Sequence, residues 1–261
     1  DAVTLNTVGG SSGVVTLRDA NTTEGFVTVN IATSGSTAST IKSLDGGTSN
    51  TTVNVTGDQA LTITDALSST VKTLDASKAS GAITAGVVAA STLVAKGSTA
   101  ITDALGVTVD SSVTSGAAIT GFETVNLNTT VGTVSFSLAQ ITGATAINIA
   151  SDTATNAAII LTNASASQGL NFVGSKSTTA NQTFDAVTQT LATDGTSNSI
   201  AVTINNGGTA TTKTATTGAV GIGNYEVVTL TSGDFATSTL GGLTLSGTAT
   251  SLTVNAATEL V

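Results

Sequence analysis

Short runs in which apolar and polar residues alternate with period two recur from one end of the chain to the other. They include Thr52-Val53-Asn54-Val55-Thr56, Leu61-Thr62-Ile63-Thr64, Val125-Asn126-Leu127-Asn128, Ile147-Asn148-Ile149, Val202-Thr203-Ile204-Asn205 and Leu252-Thr253-Val254-Asn255. Strict alternation marks a half-buried strand, with Val, Leu and Ile on one face and Thr or Asn on the other. Between the runs sit Thr56-Gly57-Asp58, Lys96-Gly97-Ser98 and Ser246-Gly247-Thr248, small or polar residues that turn the chain where positive φ is needed. The building unit is therefore strand, tight turn, strand. No helical stripe is sustained; Ser137-Leu138-Ala139-Gln140 and Asp185-Ala186-Val187-Thr188 make single helical turns at most.

Strands of this kind need a core, and composition limits which one. Hydrophobic residues at 39% can bury an interior, and with only 9% charged residues the chain lies far from the disordered class. Aromatics at 3%, with no Trp and one Tyr, cannot fill a thick globular centre. The expected core is thin, built from aliphatic side chains facing one another across a narrow interior and repeated along an axis.

Internal phrases point the same way. Ile63-Thr64-Asp65-Ala66-Leu67 returns as Ile101-Thr102-Asp103-Ala104-Leu105, 38 positions later, a spacing that holds two coils of about 19 residues. Phe122-Glu123-Thr124-Val125-Asn126-Leu127 is echoed by Tyr225-Glu226-Val227-Val228-Thr229-Leu230. The expected fold is all-β, a β-solenoid resembling a parallel β-helix, with about fourteen coils at that repeat length. A β-sandwich or tandem Ig-like pair is the alternative that the same alternation permits. Residues 1–261 read as one continuous domain, with a loop or insertion around 205–218 and a weaker break from Thr178 to Asn181.

Chemistry has few tools here. Without His or Cys there is no imidazole base, no thiol nucleophile and no ligand set for zinc. One Ser-x-x-Lys phrase occurs, Ser69-Thr70-Val71-Lys72, without the partner phrases of the enzymes that use it. The chain is expected not to be an enzyme. A net charge of -9, with Arg18 and six Lys as the only bases, disfavours nucleic acid and anionic membranes. No uninterrupted apolar run is long enough to span a bilayer, so membrane insertion is not expected.

Carboxylates at turns suit a hard cation instead. Asp45, Asp58, Asp65, Asp75, Asp103, Asp110, Glu123 and Asp234 are the candidate Ca2+ ligands, because turns also free backbone carbonyls to coordinate. The competing reading is that each turn carboxylate accepts hydrogen bonds from nearby backbone N–H groups. Neither an EF-hand loop nor an intact glycine-rich calcium nonapeptide is present.

The phrase Gly57-Asp58-Gln59-Ala60-Leu61-Thr62-Ile63-Thr64, followed by Val71-Lys72-Thr73-Leu74-Asp75-Ala76-Ser77, resembles the repeats of bacterial surface-layer (S-layer) proteins of the type I secreted, calcium-dependent, RTX-related kind. Gly121-Phe122-Glu123-Thr124-Val125-Asn126-Leu127 looks like another phrase common in them. The detailed similarity covers residues 53 to 130. It implies a secreted, extracellular structural protein that tiles the cell surface by self-assembly into a calcium-stabilised lattice, with calcium stabilising both the fold and the contacts between subunits. Its partners would be further copies of itself, and cell-surface polysaccharide reached through another domain. An extracellular adhesin or passenger stalk is the alternative within the same fold, and a carbohydrate-active β-helix a more remote one.

Overall fold

The alternating runs do form strands, and every strand pairing described in register is parallel. The structure, a computed structural model, describes residues 1–18, 23–151, 157–174, 180–205 and 212–261. The first coils carry two strands each: Ala2–Thr7 (β1) and Gly10–Thr16 (β2), Thr28–Thr33 (β3) and Ser39–Asp45 (β4), Thr52–Gly57 (β5) and Leu61–Ile63 (β6). Thr73–Ala79 (β7) and Ile83–Val88 (β8) follow, then Val94–Lys96 (β9) and Ala104–Thr108 (β10), then Ala118–Thr120 (β11) and Thr124–Asn128 (β12). Next come Thr133–Ser137 (β13), Ile141–Thr142 (β14), Ala146–Ala150 (β15), Ala158–Ala164 (β16), Leu170–Val173 (β17), Gln182–Phe184 (β18) and Ala186–Leu191 (β19). The last strands are Ser199–Asn205 (β20), Thr214–Thr217 (β21), Val220–Gly223 (β22), Val227–Ser232 (β23), Thr237–Leu240 (β24), Leu243–Leu245 (β25), Ser251–Ala256 (β26) and Glu259–Leu260 (β27).

These strands make a β-solenoid of about ten turns. A sandwich or Ig-like pair requires antiparallel ladders, and the one antiparallel contact among the described residues is an isolated bridge between Arg18 and Gly25. Leu138–Gln140 is a single 3-10 turn, as its sequence allows. The other candidate helical turn, Asp185 to Thr188, instead enters strand β19, where Val187 faces inward and pairs with Ile159 and Val220. Of the loop expected around 205–218, residues 206–211 lie outside the described residues, while Thr214–Thr217 is strand β21. Thr178 likewise lies outside them. Among the described residues no helix is long and apolar enough to cross a membrane.

The chain divides into two compact units, one of residues 1–108, 115–125 and 140–144, the other of residues 109–114, 126–139 and 145–261. In the first unit two parallel ladders stack, β1-β3-β5-β7-β9-β11-β14 and β2-β4-β6-β8-β10. Val29, Val53, Leu74 and Ala95 pair in succession, and all four are fully buried. This column is the thin aliphatic core that the composition implies. On the outer face Asn54 Nδ2 donates to Asn30 Oδ1 at 2.9 Å. The polar half of the alternation is thus a hydrogen-bonded ladder, in which each amide gives to its neighbour below.

In the second unit a third face appears from β18 onward: the ladders are β15-β17-β20-β23-β26, β13-β16-β19-β22-β25 and β18-β21-β24-β27. Three walls enclose more interior than two, and the aromatics gather to fill it. Phe136, Phe172, Phe184, Phe235 and Tyr225 are all buried here, with the Phe172 and Phe184 rings edge to face at 5.6 Å. Aromatic scarcity therefore describes the first unit better than the second. Asn148 Nδ2 donates to Asn126 Oδ1 at 2.9 Å and Asn171 Nδ2 to Asn148 Oδ1 at 3.3 Å, a second amide ladder.

Coil length departs from the expected 19 residues. Thr28 pairs with Thr52 and Thr52 with Thr73, steps of 24 and 21; Leu170 pairs with Val202 and Val202 with Leu230, steps of 32 and 28. Thr62 stacks through Thr84 onto Ala104, two steps that total 42 residues, whereas the recurring phrase returns after 38. The two copies of the phrase consequently occupy different places. Ile63 is buried in β6, while Ile101 lies in a turn with 84% of its surface exposed.

Turns are tight because neighbouring coils approach closely. At Gly57, which closes β5 with φ +109°, a Cβ would stand 1.9 Å from the Thr33 carbonyl oxygen of the coil beside it. Only glycine fits that backbone and that gap.

Candidate functional site

Of the eight candidate ligands, one lies in the interior. Asp103 precedes β10, and its side chain is fully buried. Its Oδ1 accepts from Ile83 N at 2.7 Å and from Ser98 Oγ at 3.0 Å, and its Oδ2 accepts from Ser98 N. The carboxylate fills the corner where the start of β8 meets the turn after β9. Close packing holds it there: a Cβ on Gly97 would reach 1.9 Å from the Gly121 carbonyl oxygen and 2.8 Å from Asp103 Oδ2.

Glu123 repeats the device one coil further on. Its Oε2 accepts from Asp103 N at 2.8 Å, while Asp103 O accepts from Thr124 N at 3.1 Å. Residues 83, 103 and 123 are thereby linked coil to coil by carboxylates that take up backbone N–H groups left unpaired at the turns. Phe122, which precedes Glu123, is buried.

The echoed phrase does the same work in the second unit. Tyr225 is buried, and Glu226 Oε2 accepts from Asn198 N at 2.6 Å while Glu226 N donates to Asn198 O at 3.0 Å. Glu226 was not among the candidate residues. The signal was available in its phrase, an aromatic followed by Glu at the mouth of a strand. Burial pushes the Tyr225 phenol above its ordinary range, opposed by the hydrogen bond from Gln189 Nε2 at 3.3 Å.

The remaining carboxylates are dispersed over the surface. Asp45 meets Arg18 Nε at 2.6 Å and accepts from Gly47 N at 3.1 Å; the Arg18 hydrogen bond is the main cause that holds its carboxyl below the usual range. Asp75 accepts from Ser77 Oγ at 2.6 Å, from Ser77 N at 3.0 Å and from Lys96 Nζ at 3.2 Å, and is lowered chiefly by the Ser77 hydroxyl. Asp110 is exposed and accepts from Thr130 Oγ1 at 2.9 Å and Thr130 N at 3.3 Å. Asp58 is exposed, with Gln59 Nε2 at 3.4 Å from its Oδ1. Asp65 is exposed, and its backbone N donates to Lys42 O at 2.8 Å. Asp234 is half-buried in a left-handed turn at φ +66°.

Among the described residues no three carboxylates converge into a group that could hold a metal ion. The structure brings Asp103 and Glu123 together through a backbone amide and leaves the other six apart. Lys72 Nζ donates to the Ser69 carbonyl oxygen at 2.6 Å, so the Ser-x-x-Lys phrase closes a surface turn. On the outer face of β16, β19 and β22 runs a groove of about 440 Å³, floored by Gly221 and Gly223 and edged by Ile160, Thr188 and Thr244. Among the described residues no charged side chain lines it.

The lowered carboxyls carry a pH prediction with a definite sign. A group whose folded pKa is depressed adds stability above its unfolded value, about 3.9 for Asp, and that stability is lost as pH falls through the folded value. Urea midpoints are therefore expected to fall between pH 5 and pH 2, and Asp75→Asn to flatten that decline. An unchanged slope in the variant would remove Asp75 from the account. Because both groups are partly exposed, the effect is small.

Comparison with family models, with curated proteins and with solved structures finds no match to this chain.

Proposed function

We propose that the chain is a secreted structural protein of a bacterial cell-surface layer, which self-assembles into an extracellular lattice and catalyses no reaction. The observation that supports this reading best is the outer surface. Half-buried Thr28, Thr52 and Thr73 stand in register on successive coils of the first unit, and Asn30 and Asn54 pair in the same ladder. Such columns are short, partly bonded to one another and regularly spaced. Long flexible Lys and Glu side chains, which resist being covered because they lose the most rotamer freedom, are few: charged residues make up 9% of the chain. A surface of this kind loses little entropy when a second copy packs on it.

Charge supplies the place for calcium. Copies carrying -9 each repel one another, and exposed carboxylates such as Asp58, Asp65 and Asp110 face solvent, where a cation shared across a contact between copies offsets that repulsion. Calcium in this reading bridges molecules and is not required by the coils themselves. Attachment to cell-surface polysaccharide through another domain belongs to the same proposal.

Negative-stain electron microscopy with and without Ca2+ tests it, alongside thermal melting of the dispersed chain. Ordered sheets or filaments in Ca2+ that disperse in EDTA, with an unchanged melting temperature, are expected. Isolated particles at all Ca2+ and protein concentrations would reject assembly and favour an adhesin or passenger stalk. A large fall in melting temperature on chelation would place the cation inside the fold, and reducing-sugar release from polysaccharides would reject the non-enzymatic reading.

A further inference from the structure

We draw no further inference here: the strongest candidate, the surface patch formed by exposed Leu252 and Val254 on the edge strand β26, carries nothing because nothing in the structure shows what covers it.

Discussion

Asp103→Ala lowers the stability of the chain by about 3–5 kcal/mol, read as a fall in the urea midpoint at neutral pH. The substitution removes the acceptor for Ile83 N, Ser98 N and Ser98 Oγ at a fully buried position, and each donor left unpaired there costs about 1–3 kcal/mol. Partial relaxation of the Ser98 turn keeps the total below a simple sum. Asp103→Asn retains the shape but turns an amide NH2 toward one of the donors, and about 2 kcal/mol is expected. Asp58→Ala is the control: exposed and, among the described residues, bonded only to its neighbour Gln59, it should shift stability by less than about 0.5 kcal/mol. Equal effects at positions 58 and 103 would mean that the buried corner is not what Asp103 serves.

The second large effect is expected in the three-walled unit. Phe172→Ala removes a fully buried ring that contacts Phe184 edge to face, and costs about 3–5 kcal/mol as lost transfer energy plus a cavity. Phe172→Leu keeps most of the volume and should cost about 1 kcal/mol. The contrast tests whether the second unit depends on ring volume. If alanine and leucine destabilise alike, the interior of that unit collapses around the gap and the wider core described above is wrong.

Much of this architecture was legible in the alternation. The run Thr52 to Thr56 reads directly as strand β5, with Val53 and Val55 inside and Asn54 on the amide ladder, because side-chain period and pleat share one geometry. Parallel stacking followed from repetition without aromatics. Coil length was not legible, since phrases recur by sequence drift while strands align by register. Ile101 reproduces the letter of Ile63 but falls four residues before the equivalent place, in a turn, where nothing requires it to be buried. The third wall of the second unit was hidden for a related reason: Thr214-Ala215-Thr216-Thr217 is too short and too polar to stand out as strand until its neighbours in β18 and β24 supply the ladder.

For the site, residue type was readable and role was not. Turn position marked Asp103 and Asp58 alike, yet one is sealed in a corner by Gly97 and Gly121 and the other lies in solvent. That difference depends on which coil passes close by, and no local spacing encodes it. Glu123 and Glu226 show the converse. Their shared aromatic-Glu phrase encodes a real structural device, a carboxylate taking up backbone N–H at the neighbouring coil, and the echo in sequence carries no sign of that purpose.

Successive coils stack in a fixed register, and engineered disulfides read that register directly because the chain contains no cysteine of its own. Thr40 and Thr62 are paired on β4 and β6, and neighbouring strands about 4.8 Å apart fall within disulfide reach. The double variant Thr40→Cys/Thr62→Cys should close an intramolecular disulfide on mild oxidation, with native circular dichroism retained. The pair Thr40→Cys/Gln59→Cys, set at the 19-residue repeat, should remain reduced under the same conditions. Closure of the second pair with failure of the first would contradict the account.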